Sequence, residues 1–118
     1  MPDRISTRLP ARTQRLLLEA LLEHYPDEVI TGFLVNATIS CNCVRGHAYK
    51  VRRYPEHAVL TSGEISHVVR DGARWLIHTE EFDCFVIVNF APGGLQSLRH
   101  LIDLYETARM AHSRWCLQ

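Results

Sequence analysis

Cys41-x-Cys43-x3-His47 is the stretch of this 118-residue chain whose side chains come nearest to a metal site, since thiolates and imidazoles are the donors zinc takes. The spacing argues the other way. One intervening residue sends neighbouring side chains to opposite sides of an extended chain, and structural zinc sites usually separate paired cysteines by about two to four residues. A fourth ligand would have to come from His57, His67, His78, Cys84 or Cys116. Two part-buried thiols beside a turn account for Cys41 and Cys43 without a cation, and the sequence indicates no cofactor.

A cysteine-histidine nucleophile pair is available on paper, because Cys84 can meet His67 or His78 across neighbouring strands. Cys84 falls in the most apolar run of the chain, however, and a buried thiol without a cationic neighbour keeps its proton and is inert. Ser62, in Thr61-Ser62-Gly63, lacks the flanking glycines and strand-to-helix setting of a hydrolase elbow. Turn chemistry explains it, with Gly63 at positive φ and the two hydroxyls bonding local backbone. Glu80-Glu81 has no second carboxylate at a recognisable distance, so no general acid-base pair follows. These residues point away from an enzyme.

The basic residues gather in Arg45, His47, Lys50, Arg52 and Arg53, interleaved with Tyr49 and Tyr54. On a strand, Lys50, Arg52 and Tyr54 share a face that can hold a nucleic-acid backbone and stack a base. The same residues on an edge strand guard against edge-to-edge pairing and need no ligand. Trp75 alternates with Ile77 and Thr79, which makes it either core or part of an exposed aromatic patch, and Trp115 is placed to anchor the tail or a neighbour. Aromatics with arginine are the usual anchors of protein interfaces.

Composition narrows the choice. Lys+Arg and Asp+Glu both number 13, a balance that disfavours a general nucleic-acid binder. With 47% hydrophobic and 22% charged residues the chain reads as a single domain with its own core. MPDRISTRLPARTQ has no apolar run of signal-peptide length, and no window approaches the ~18 apolar residues of a membrane helix. The expectation is a cytoplasmic protein with no membrane partner, in which Cys41, Cys43, Cys84 and Cys116 stay thiols.

The elements that must position these residues follow from periodicity. Residues 1–9 read as a loose arm from which Ile5 and Leu9 can dock. Leu18, Leu21, Leu22 and Tyr25, widened by Leu17, predict a helix from Pro10 to Tyr25 that Pro26 ends, with Arg15, Glu19 and Glu23 on its solvated face. Residues 28–40 carry enough β-branched side chains to favour a strand over the helix that Asp27 and Glu28 would also start. A loop or tight turn over Cys41–Gly46, a strand over Ala48–Tyr54 and a meander at about 58–61, 64–70, 73–79 and 82–90 complete the sheet. Its last run has Phe82, Cys84, Val86, Val88 and Phe90 on one face and Phe85 and Ile87 on the other, the pattern of a strand covered on both sides. Leu98, Leu101, Ile102, Tyr105 and Ala108 predict a second helix over about 95–113, placed to cover one face of that strand while the first helix covers the other. Arg109, His112 and Arg114 in its last turn offset the helix dipole. The fold class is α+β: an antiparallel four- to six-stranded sheet flanked by an N-terminal and a C-terminal helix.

Within that meander, V-L-T-S-G at residues 59–63, R-D-G at 70–72 and H-T-E-x-F-x-x-F-V-I-V at 78–88 resemble the C-terminal hairpins of small proteins carried by bacteriophages and prophages of Gram-negative bacteria. The resemblance covers about a quarter of the chain, and Glu80-Glu81 stands where that family tends to place Arg-Asn. It implies a mobile-element accessory protein that binds and inhibits a host protein, such as a CRISPR defence component. It carries over no catalytic residue. The leading expectation is therefore a non-enzymatic protein-binding module that self-associates as a homo-oligomer, using Arg45, His47, Tyr49, Lys50, Arg52, Arg53, Tyr54 and Trp75. A small nucleic-acid binder using the Arg45–Tyr54 strip and a zinc-binding domain at Cys41, Cys43 and His47 are the alternatives.

Overall fold

In a meander of five strands the first and the last run the same way, so the sheet can close on itself only through one parallel pairing. The computed structural model, which describes the backbone of residues 9–116 and the side chains of 9–110, shows that closure. Helix α1 (Ala11–Leu22) leads into β1 (Gly32–Ser40), β2 (Cys43–Tyr49), β3 (Ala58–Asp71), β4 (Arg74–Thr79) and β5 (Cys84–Ile87), and α2 (Gly94–Cys116) follows. The strands form a barrel in sequence order, antiparallel throughout except where β5 pairs in parallel with β1, Phe33 opposite Val86. The α+β class, the meander and the flanking helices are as the sequence predicts. Closure removes both sheet edges, so no strand needs guarding against a neighbour.

Alternation along each strand sorts the core into two layers. Leu34, Ala37, Val44, Ala48, Leu60, Ile65, Ile77, Phe85 and Ile87 fill the barrel, and α2 adds Leu98, Leu101, Ile102 and Tyr105. Leu98 is fully buried, and its truncation to alanine is expected to cost about 2–5 kcal/mol. The opposite parity carries Phe33, Val35, Tyr49, Leu76, Cys84, Val86 and Val88 on the outer wall, where Leu16, Leu17, Ala20, Leu21 and Tyr25 cover them. The β5 run is thus enclosed on both faces, by the barrel interior on one and the α1 layer on the other. Leu9, at the end of the arm, docks in the same outer layer.

Several local expectations are corrected. Helix α1 ends at Leu22, with Glu23 already extended, because Tyr25 turns back and donates its hydroxyl hydrogen to the Ala20 carbonyl at 2.8 Å. Its packed face is Thr13, Leu16, Leu17, Ala20 and Leu21, rotated from the predicted stripe, which leaves Leu18 and Leu22 exposed. Glu23, read as solvated, reaches Arg74 at 3.0 Å and ties the helix to the β3–β4 hairpin. The turn before β2 is only Cys41-Asn42, both at positive φ as a two-residue type I′ hairpin requires, and Gly46 lies inside the strand. Thr61-Ser62-Gly63 does not interrupt the meander. It is a bulge within the 14-residue β3, where the Ser62 hydroxyl accepts from the Val44 amide at 3.0 Å. Gly63 is not at positive φ; its missing side chain makes room for Glu81, whose carboxylate would lie 2.7 Å from a Cβ there.

Phe82 leaves the last strand altogether. It sits at φ 67° in the β4–β5 turn and is 96% exposed, while regular pairing spans only Cys84–Ile87 and continues through isolated bonds such as Val88 N to Leu34 O at 2.9 Å. Residue Trp115 and the thiol of Cys116 lie outside the described side chains, as do His112 and Arg114.

Candidate functional site

Register places a row of polar side chains across the otherwise apolar outer wall. His67 on β3 pairs with His78 on β4, and His78 pairs with Cys84 on β5. Directly opposite partners in a sheet share a face, so the two imidazoles and the thiol line up. The rings of His67 and His78 stack at 4.2 Å between centroids and 9° between planes. Glu28, from the connection between α1 and β1, completes the row: its Oε1 lies 2.9 Å from His78 Nε2 and 3.8 Å from Cys84 Sγ, whose thiol hydrogen it accepts. The connection is held in place by Thr31, whose amide donates to the Cys84 carbonyl at 2.8 Å and whose hydroxyl oxygen accepts from the Cys84 amide at 2.9 Å.

Exposure falls along this row. His67 is exposed, the side chains of His78 and Glu28 are 22% and 17% exposed, and Cys84 is buried at 2%. Burial, reinforced by the neighbouring Glu28 carboxylate and its hydrogen bond, pushes the Cys84 thiol up to about 12. A thiol held protonated in this way is a poor nucleophile, even with an imidazole beside it. The sequence identified the His78–Cys84 and His67–Cys84 pairings as possible across adjacent strands, but it offered no sign of Glu28, which arrives from 50 residues away in the chain as an acidic side chain of a connecting loop. His78 Nε2 is buried and has no hydrogen-bond partner among the described residues; the Glu28 oxygen is near enough for an ion pair but off the bonding direction.

The residues singled out from the sequence are dispersed. Strand β2 stops at Tyr49, so Lys50, Arg52 and Tyr54 do not share a strand face; Lys50 and Arg53 take positive φ in a loop that turns back through His57. Tyr49 is buried, with its hydroxyl 2.5 Å from His57 Nδ1. Arg45 and His47 border one shallow cavity of about 280 Å³, whereas Arg52, Arg53 and Tyr54 border another of about 400 Å³ at the barrel mouth. Glu81 and Asp83 line the second cavity too, which offsets the arginines there. Lys50 is engaged by Glu56, whose carboxylate also accepts from the Lys50 amide at 3.1 Å.

Cys41, Cys43 and His47 do not converge. Cys41 is exposed in the turn, and His47 stacks on His57 at 4.4 Å. Among the described residues the group of donors close enough for a shared cation is Glu28, His78 and Cys84. Trp75 is partly buried against the barrel core and carries the Arg70 guanidinium 4.5 Å above its ring, so it is a packing residue with a polar lid.

The side chains that do project are elsewhere. Phe82 stands at the turn with exposed Glu80 and Glu81, and Val29, 89% exposed, lies on the segment that Thr31 fastens to that turn through Asp83 at 3.2 Å. Its parity in the sequence predicts that Phe82 shares the Cys84 face, which the structure corrects. The acidic turn residues before Phe82 were the available signal that the strand had not yet begun. No helix among the described residues is long and apolar enough to cross a membrane. No protein-family model matches the chain, and neither a curated protein nor a solved structure does.

Proposed function

We propose that the protein is a non-enzymatic protein-binding module whose anchor is the β4–β5 turn, with Phe82 inserting into an apolar pocket of a host protein. The observation that carries this reading is the conformation of Phe82: a bulky aromatic at φ 67° and 96% exposed. Left-handed backbone costs such a residue roughly 1–2 kcal/mol, and full exposure returns none of it within the chain. The turn is held rigidly nonetheless, through the Phe82 amide to the Thr79 carbonyl at 3.0 Å and the Asp83 amide to the Thr79 hydroxyl at 3.2 Å. With the backbone of the turn already ordered, docking costs the side chain's rotamer freedom alone, which suits an interface anchor.

Glu80 and Glu81 precede Phe82 in the same exposed turn, so the complementary surface is an apolar pocket with a lysine- or arginine-rich rim. The same charges disfavour nucleic acid at this tip. The resemblance of residues 59–88 to phage and prophage accessory proteins supports a partner drawn from host machinery, defence complexes included.

Affinity capture from host lysate, with and without nuclease, compares the native chain with Phe82→Gly. The expected result is a protein captured in both conditions by the native chain and lost with Phe82→Gly, which glycine's tolerance of positive φ keeps folded. Retention by Phe82→Gly, or loss on nuclease treatment, overturns the reading. Capture of only the chain's own copies overturns the host partner.

A further inference from the structure

We propose that Glu28, His78 and Cys84 form a binding site for a zinc-class divalent cation, with a fourth position open to water or an external ligand. The donors come from three separate segments: the connection before β1, strand β4 and strand β5. Their ligating atoms all lie within 4.8 Å of one another, with the carboxylate oxygen 3.8 Å from the sulfur and 2.9 Å from the imidazole nitrogen. Donors around a tetrahedral zinc ion stand roughly 3.3–3.8 Å apart, close to the carboxylate–sulfur and carboxylate–imidazole separations here.

The second observation is independent of that spacing. His78 Nε2 is a buried atom that makes no hydrogen bond, its one close polar contact being the ion-pair approach of Glu28 Oε1 at 2.9 Å, and a buried nitrogen without a hydrogen bond is costly unless something satisfies it. A cation between Nε2, Sγ and Oε1 does so directly. The ring is already oriented by its stack on His67, and Glu28 is oriented by a connection that Thr31 bonds to Cys84 on both sides of the peptide link. Preorganised ligands of this kind are what metal sites require beyond the donor atoms themselves.

The donor set selects the ion. One thiolate, one imidazole and one carboxylate suit zinc and its cobalt surrogate, whereas magnesium and calcium take oxygen ligands. Binding breaks the Cys84 S–H bond and forms a sulfur–metal bond, and the released proton goes to the buffer. In the bound state His78 ligates as neutral imidazole and Glu28 as carboxylate, each through a lone pair. This inference stands apart from the reading of Phe82, and its test involves no protein partner.

The full chain, purified with chelator and desalted, is titrated with cobalt(II) alone and then with zinc(II). One equivalent of cobalt should produce a thiolate-to-metal charge-transfer band in the near ultraviolet that zinc abolishes. Cys84→Ser should remove the band, and Glu28→Gln should weaken cobalt binding at least about tenfold. Paired Cys41→Ser and Cys43→Ser substitutions should leave both unchanged. Circular dichroism checks that each variant is folded, and the part-exposed Glu28→Gln supplies the test where Cys84→Ser is not. The proposal fails if the native chain gives no band, if the band follows Cys41 and Cys43, or if Glu28→Gln binds as tightly as the native chain.

Discussion

Two pairs of histidines stack on this barrel in nearly the same way, at 4.4 Å and 10° for His47 and His57 and at 4.2 Å and 9° for His67 and His78. Their surroundings differ. In the first pair each Nδ1 has an oxygen partner: His57 Nδ1 lies against the Tyr49 hydroxyl at 2.5 Å and His47 Nδ1 against the His57 carbonyl at 3.2 Å. In the second, His78 Nε2 faces a carboxylate off its bonding direction and a thiol, and no hydrogen bond satisfies it. Stacked imidazoles are therefore not in themselves a sign of chemistry. The atoms around the rings separate a polar packing motif from a candidate ligand set.

The largest expected effect that would sharpen this contrast concerns Cys84 in the metal-free protein. Its folded thiol holds its proton up to about 12, against 9.0 ordinarily. The unfolded chain therefore loses the proton first, so the stabilisation is fully present below about pH 9 and declines as pH rises toward about 12, by on the order of 2–4 kcal/mol. Burial raises Tyr25 and Tyr105 as well, adding loss in the same direction that begins above about pH 10. Denaturant melts with chelator should show this alkaline decline, and Cys84→Ser should flatten its first part.

Zinc at about a hundredfold excess over its dissociation constant should stabilise the native chain by roughly 2.7 kcal/mol. His78→Ala should abolish that gain, while His57→Ala should leave it intact despite losing an equally close stack. Equal zinc responses from the two variants would erase the distinction between the pairs. Removing the hydroxyl in Tyr49→Phe is expected to cost about 1–3 kcal/mol through the part-buried His57 nitrogen it leaves behind, measured by urea unfolding, with no change in zinc response. Smallest is Phe82→Gly, expected to raise stability by about 1 kcal/mol by relieving left-handed strain. That it should stabilise the fold while abolishing partner capture is the reverse of what a packing residue does.

Short-range pattern carried much of the architecture. Alternation over Phe82–Phe90 announced a strand with two buried faces, which holds from Cys84 to Val88 but not at Phe82, since consecutive side chains on a strand leave in opposite directions whatever the fold. The 3.6-residue spacing of Leu98, Leu101, Ile102 and Tyr105 likewise described the packed face of α2, although Ala108, the last residue of the predicted stripe, is exposed. It was less decisive for α1, where leucine occupies so many adjacent positions that several stripes were compatible and packing against Phe33, Val35 and Val86 chose among them. Nor did turn-forming residues suffice: Thr61-Ser62-Gly63 has turn composition yet lies within β3, because pairing with β2 absorbs the extra residue as a bulge.

What the chain specified by itself, then, was the order of helices and strands and, for β5 and α2, most of the side chains that face inward, because both depend on geometry repeating within a few residues. Tertiary structure alone decided that the five strands close, that Phe82 is cast outward, and that Glu28 meets His78 and Cys84. Those outcomes depend on register and on where a connecting loop crosses the wall, and a loop's path is set by long-range packing and hydrogen bonds such as those of Thr31 rather than by any periodicity of its own.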